Sequence, residues 1–496
     1  MKRTSIILAT LVLTCLAYAG QSNSAFSRYF GPSFKVRPVI PPRGPTKGMD
    51  TIHRWNTIAI DASGIDHTPG FGQALGPGRA SRAMAIVHIA MFDAVNAIVG
   101  GYESYSGVLA PRGAVSIDAA ISQAAHDTLV ALFSLQSNSF DSALAADLAK
   151  VGNKSEKARG IDLGQRAAAA VLAMRVADGA EIPEPLLGPG GHPTSDQPGH
   201  WRQDPISLIP VAVGAHWGEC RPFVLQSGDQ FRAPPPPDMA SVEYKAAFDE
   251  AQALGGDGVI TPTFRTEEQT FIGIFWAYDG TPSLCAPPRL YNQLTLQIAD
   301  KTKLKVIDLA RLLALVNTAM ADAGIAIWES KFFYDFWRPI GGIREADTDN
   351  NPGTVANPTF MPLGAPASNL AGPNFTPPFP SYPSGHAGFG GALFQTLRRF
   401  YGTDNIPFTF VSDEFNGQTR GNDGNLRPLR PRSFATLSQA EEENGQSRIY
   451  LGIHWSFDKV EAIELGRKVG DYVVDNAFRP LKPNPTPTPK PTPRPR

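Results

Sequence analysis

The residues best suited to chemistry lie in three short segments of the C-terminal half. Lys331 and Arg338 stand seven apart in the run KFFYDFWRP. On a continuous helix that spacing is almost two turns, which predicts both cations on one face about 10 Å apart, with Pro339 ending the run. Two cations so aligned repel unless an anion lies between them. In the second segment, Pro383-Ser384-Gly385-His386 precedes a small and apolar run, Ala387 to Phe394. Proline close to the first helical position predicts Ser384 to His386 at a helix N-terminus, where unpaired N–H groups favour an anion. Ser384 adds a hydroxyl, Gly385 a closely approachable amide, and His386 a titratable group. In the third segment, Arg448 offers a planar fork suited to an oxyanion, and His454 is a nucleophile or metal ligand. Asp458, four residues after His454, shares its face if this stretch is helical, and would set the imidazole tautomer. Cations at such spacing are more often a solvated face, and a Pro-Ser-Gly-His turn more often a plain helix start. The three segments therefore carry weight together rather than singly.

Taken in order, K-x6-R-P, then P-S-G-H, then S-R-x5-H with its trailing Asp458, resemble the signature of the vanadium-dependent haloperoxidases and the related acid phosphatases. The stretch from His386 to Ser447 is somewhat long for that signature, consistent with an inserted loop. Phe275-Trp276-Ala277-Tyr278-Asp279-Gly280, followed by Pro287-Pro288-Arg289-Leu290-Tyr291-Asn292-Gln293, resembles the haloperoxidase segment whose aspartate pairs with the site arginine. The resemblance thus implies that Asp279 partners Arg448. Trp328 and Phe379 match the aromatic residues that flank the halide site, and algal-type bromoperoxidases tend to carry histidine where Phe379 stands.

The resemblance implies vanadate as cofactor, with His454 binding vanadium. Lys331, Arg338, Arg448, Ser384 and the Gly385 amide would neutralise its oxygens. His386 would move protons and Lys331 would polarise peroxide. The implied substrates are hydrogen peroxide and a halide, giving hypohalous acid, with small organic molecules as its acceptors. The alternative is an acid phosphatase using His454 as nucleophile, with His386 protonating the leaving alcohol. Trp328 and Phe379 weigh against it, because an apolar entrance disfavours a hydrophilic ester. A catalytically dead oxyanion-binding scaffold is a third reading, which the presence of both His386 and His454 disfavours.

Apolar residues at alternating three- and four-residue steps dominate the elements that must position these groups. Such steps predict helices over 79–99 and about 116–135, 139–152, 155–178, 240–254, 265–278 and 301–330, while alternating strand patterns are scarce. The expected fold is all-α, with two helical-bundle halves. Residues 51–233 form the first half and 238–479 the second, parted by Pro234 to Pro237. An irregular lead-in covers 20–50, and long connections cover 340–382 and 403–436. His88 and His126 fall in apolar helices and read as packed structural residues. His192, His200 and His216 lack the spacing of zinc ligands.

Residues 1–19 read as a signal peptide: Lys2 and Arg3, an apolar run from Ile6 to Leu16, then Ala17-Tyr18-Ala19. The expectation is a secreted or periplasmic protein. No later segment offers about 18 uninterrupted apolar residues, so no membrane span is expected. Cys220 and Cys285 could pair in an oxidising compartment. Residues 480–496 form a Pro-rich tail unable to bury a core. The 496 residues include 45 basic and 46 acidic, a formal net charge of −1. That balance provides no global field for nucleic acid, so any bound anion must be held by a local cluster.

Overall fold

The computed structural model describes residues 28–38, 41–42 and 44–481. The signal-peptide reading and all but the first residues of the Pro-rich tail lie outside them. The described residues form helices α1 (Thr51–Asp66), α2 (Pro77–Val99), α3 (Ile117–Leu132), α4 (Ser137–Leu148), α5 (Lys154–Met174), α6 (Val242–Gly255) and α7 (Glu267–Phe275). There follow α8 (Pro287–Ala299), α9 (Val306–Tyr334), α10 (Pro339–Arg344), α11 (Gly385–Tyr401), α12 (Leu437–Tyr450) and α13 (Ser456–Asn476). The extended structure named among these residues is two short antiparallel pairs, β1 (Lys35–Val36) with β2 (Leu370–Ala371), and β3 (Phe408–Phe410) with β4 (Arg432–Phe434). The all-α expectation holds.

The central helix is α9. It packs against α2 on one side and against α11 and α13 on the other. Both α2 and α9 are long and apolar enough to cross a membrane, yet 78% and 94% of their most apolar windows are buried inside the protein. One cluster of buried apolar residues takes members from both sides of Pro234–Pro237, including Met84, Ile89, Leu312, Val316 and Phe394. Helices α11 and α13 approach with their backbones almost touching. A Cβ at Gly466 would drive into the carbonyl oxygen of Gly388, so only glycine permits this crossing. That approach brings the N-terminus of α11 beside that of α13, where the Ser384 N–H donates to the Asp458 carbonyl at 3.0 Å.

Two expected geometries are corrected. Lys331 and Arg338 do not share a helix. Helix α9 ends at Tyr334 with Asp335 in the left-handed region (φ 49°), and Arg338 is the N-cap of α10. The chain breaks there because Pro339 cannot donate within a continuing helix, whereas at the first position of a new one it is pre-organised. His454 and Asp458 likewise do not share a helix: His454 lies in the turn between α12 and α13, and Asp458 sits in the first turn of α13. Cys220 and Cys285, whose pairing the sequence left open, are both buried and free.

His88 and His126 take the structural places expected of them. His88 is buried with Nδ1 2.7 Å from the Met84 carbonyl and Nε2 2.8 Å from the Asn56 side chain, and burial pulls its pKa down to about 4. His126 bridges Asp127 and Asp141, which raise its pKa.

Candidate active site

Four helix ends converge on one small cavity. Lys331 and Trp328 come from the last two turns of α9, Arg338 from the cap of α10, and Ser384 to His386 from the start of α11. Arg448 comes from the last turn of α12, and His454 from the turn that follows. The cavity, about 40 Å³, is lined by Trp328, Phe379, Asp279, Gly385, His386, Arg448 and His454 among others. Such a volume holds about three waters or one tetrahedral oxyanion. Lys331, Arg338 and Ser384 stand beside this wall rather than in it.

His454 is held at one nitrogen and presented at the other. Its Nδ1 donates to Asp458 Oδ2 at 2.7 Å, while its Nε2 accepts from Arg338 Nη1 at 3.1 Å. The carboxylate therefore fixes the tautomer that leaves the Nε2 lone pair toward the cations. Asp458 Oδ2 also accepts from the Trp455 N–H at 3.1 Å and from the Ser381 hydroxyl. Burial, only partly offset by Ser381 and Lys331, lifts the Asp458 carboxyl to about 7. Burial and Arg338 press the His454 pKa well below its ordinary value, so the imidazole is neutral.

His386 is also pressed well below its ordinary pKa, by burial and then by Arg448. Its Nε2 donates to the Ala277 carbonyl, and its own carbonyl accepts from Tyr291 Oη and Asn444 Nδ2, each at 2.9 Å. Asp279 lies in the loop after α7. Arg448 Nη2 donates to Asp279 Oδ1 at 2.6 Å, the pairing that the resemblance implied. Burial raises the Asp279 pKa against the pull of Arg448.

Lys331, Arg338 and Arg448 are all buried. Lys331 Nζ donates to the carbonyls of Pro380 and Ser381 at 2.8 and 2.9 Å, and lies 5.1 Å from the Phe379 ring centroid. Burial and the Arg338 charge drive its pKa well down, and burial takes Arg338 to about 9. Three cations face two carboxylates, Asp279 and Asp458, among neutral histidines, which leaves a positive excess out of water. Burying such an excess costs free energy unless an anion joins it.

The hydrogen-bond inventory points the same way. Arg338 Nη2, Arg448 Nε and Nη1, and Ser384 Oγ are buried without a protein partner, and so are two acceptors, Asp279 Oδ2 and Asp458 Oδ1. An orphaned buried donor costs about 1–3 kcal/mol, so several at one place mark a missing acceptor. Ser384 is the N-cap of α11 yet makes no capping bond through its side chain. Its hydroxyl and the first amides of the helix are thus left for a ligand. These donors fit a tetrahedral oxyanion such as vanadate, with His454 Nε2 the nitrogen able to reach its metal.

Trp328 and Phe379 meet at 5.0 Å between ring centroids. The indole Nε1 donates to the Val213 carbonyl at 2.9 Å, and Gly214 (φ +79°) lies directly against the ring, where a Cβ would collide with it. Sequence reasoning missed Ser381, Asn444, Gly214 and the pair Tyr29 and Phe30, which also line the cavity. Of these, Ser381 lies two residues before the Pro-Ser-Gly-His segment and Asn444 three before Ser447. The others meet the site through contacts with no local pattern.

Fold and site together define an all-α enzyme class that holds an oxyanion among buried cations and a carboxylate-oriented histidine. A family model described as the VCPO second helical-bundle domain matches residues 311–483. The vanadium chloroperoxidase of Curvularia inaequalis is 32% identical over 493 residues, covering 83% of this chain and 79% of that protein. The crystal structure of the first bacterial vanadium-dependent iodoperoxidase has a TM-score of 0.68 at 23% identity, covering 88% of this chain and 99% of that one. An apo-type bacterial vanadium-dependent chloroperoxidase has a TM-score of 0.61 at 17% identity, covering 80% and 93%. At those identities the two structures bear on the fold alone. The chain belongs to the vanadium-dependent haloperoxidases and is an enzyme of that kind.

Proposed function

We propose that this enzyme oxidises a halide with hydrogen peroxide to hypohalous acid, using vanadate held by His454, Lys331, Arg338, Arg448, Ser384 and the Gly385 amide. The observation that carries the reading is the set of buried, partnerless donors gathered around a tautomer-fixed histidine. When bound, vanadate supplies the Lewis-acidic centre that activates peroxide without a change in its own oxidation state.

The halide loses two electrons, the O–O bond of peroxide takes them, and one proton is consumed as hypohalous acid and water form. His386 is placed to manage that proton. Its Nε2 is engaged by the Ala277 carbonyl, which leaves Nδ1 for a ligand, and its lowered pKa keeps it neutral until negative charge arrives. Lys331 and the two arginines would hold the group's oxygens and offset the negative charge there. Asp279 positions Arg448, and Asp458 positions His454. Trp328 and Phe379 form an apolar face suited to a weakly hydrated anion and unsuited to a bulky phosphate ester. Export through the N-terminal segment, to the periplasm or beyond the cell, belongs to the same proposal.

The apo-protein is to be assayed with and without orthovanadate, using peroxide plus iodide, bromide or chloride, alongside an aryl phosphate. Vanadate-dependent halogenation that phosphate inhibits is expected. Ester hydrolysis that vanadate inhibits, with no halogenation, would establish the phosphatase instead.

A further inference from the structure

The cavity wall is not built from the helices alone. Tyr29 and Phe30, from the lead-in that precedes α1, face the same space as Asp279, His386, Arg448 and His454. Tyr29 also lines a second cavity of about 310 Å³, whose wall includes Arg28, Arg79, Glu184 and Val211. One aromatic ring therefore borders both spaces. Its hydroxyl is wedged between two loops: a Cβ on Gly280, the residue after Asp279, would stand 3.1 Å from it, and one on Gly76 3.4 Å.

The lead-in is tied down mainly on the C-terminal side of this ring. Strand β1 pairs with β2, and the Arg37 side chain donates to the carbonyls of Leu370 and Asn422 at 3.2 and 2.6 Å. Phe34 packs edge-on against Phe375 at 5.7 Å between centroids. Around Tyr29 itself the contacts are side-on rings, Phe30 at 5.1 Å and His67 at 6.5 Å. Because Gly76 and Gly280 flank the hydroxyl, the ring meets no side chain from either of them when it turns about its side-chain torsions. The small inner cavity and the larger outer one differ by nearly eightfold in volume, about 40 against 310 Å³.

We propose that Tyr29 is the access residue of the oxyanion cavity, a ring that separates it from the outer pocket and sets the size of what passes. Small anions and peroxide cross when the ring turns, whereas larger organic acceptors are kept in the outer pocket. The inference rests on the proposed reading that the inner cavity holds the oxyanion.

A barrier of this kind alters rates of passage and leaves the equilibrium alone, because entry and exit use the same route. The experiment follows orthovanadate binding to apo-protein by stopped-flow tryptophan fluorescence, for wild type, Tyr29→Phe, Tyr29→Leu and Tyr29→Ala. In Tyr29→Ala, association and dissociation should both rise by at least about tenfold, since a minor open state is populated about 10% or less. The Kd should stay within about twofold, and Tyr29→Leu should fall between. Tyr29→Phe retains the ring and should match wild type. Wild-type rates in both Tyr29→Ala and Tyr29→Leu would overturn the assignment, as would a weakened Kd carried by dissociation alone, the mark of a merely structural role. If wild type binds vanadate but oxidises no halide, the functional reading fails while these rates still judge the gate.

Discussion

Replacing Asp458 with asparagine separates the two ways in which this site can hold an oxyanion. The carboxylate is buried, and its Oδ2 takes hydrogen bonds from His454 Nδ1 at 2.7 Å, the Trp455 N–H at 3.1 Å and Ser381. Asparagine keeps the shape but loses the charge; its carbonyl oxygen takes the Oδ2 place, where the Trp455 N–H needs an acceptor, and holds His454 Nδ1 only as a neutral acceptor. Nε2 still accepts from Arg338, but without the carboxylate's charge behind Nδ1 it is a weaker electron-pair donor to a metal. Removing such an orienting carboxylate typically weakens metal affinity about 10- to 100-fold, or about 1.4–2.7 kcal/mol. The electrostatic consequence has the opposite sign, because one of two negative charges facing Lys331, Arg338 and Arg448 is gone. Phosphate, held by the cations and amides alone, should bind Asp458→Asn as well as wild type or better. Isothermal titration with orthovanadate and with phosphate reads both. The ratio of vanadate to phosphate affinity should fall about 10- to 100-fold. Equal shifts for the two anions would refute the argument that His454 contacts the metal and that the Asp458 charge strengthens that contact.

Gly214→Ala should push the Trp328 indole from its seat, destabilising the fold by about 1–3 kcal/mol in thermal melts. The same change should raise the halide KM more than the vanadate Kd. Arg448→Lys replaces a fork that serves both Asp279 and the cavity with one ammonium, and phosphate Kd measured by titration should rise about tenfold. The pH dependence of stability should carry the signature of His88, whose folded pKa of about 4 lies below its ordinary 6.5. Its folded state binds fewer protons, so this contribution is complete above pH 6.5 and is lost as pH falls toward 4, by up to about 3 kcal/mol. Denaturant melts of wild type and His88→Gln across that window should diverge in slope. Parallel slopes would show that His88 is not held neutral.

Helix periodicity read the apolar helices well: the run expected at 79–99 is Pro77–Val99, and that at 155–178 is Lys154–Met174. It missed Thr51–Asp66 and Pro287–Ala299, whose buried faces include charges. Arg289 Nη1 donates to Asp61 Oδ1 at 2.7 Å, so each buries the other across 228 residues of sequence. A pattern that takes charge as exposure fails there, because pairing and not hydrophobicity satisfies the burial. The same limit misplaced Arg338. Seven residues on one helix was the simplest reading, but the break at Asp335 turns the chain so that Arg338 reaches His454 and the Phe379 carbonyl instead.

Read alone, the sequence determined which groups are available and in what order: three cations, two histidines, a serine at a helix start and two carboxylates. Residue type and local spacing are properties of the chain itself, and they were enough to indicate an oxyanion and the family. Tertiary structure decided what those groups can do. Whether a buried donor is spent or spare depends on every neighbour within hydrogen-bond reach, and such neighbours come from anywhere in the chain. Thus Lys331 is engaged by the carbonyls of Pro380 and Ser381, whereas Arg448 Nε and Nη1 and Ser384 Oγ are left without partners. The lead-in shows the same division, since nothing local to Tyr29 marks it, and the β1–β2 pairing, the Arg37 bonds and the Phe34–Phe375 contact carry it to the cavity wall.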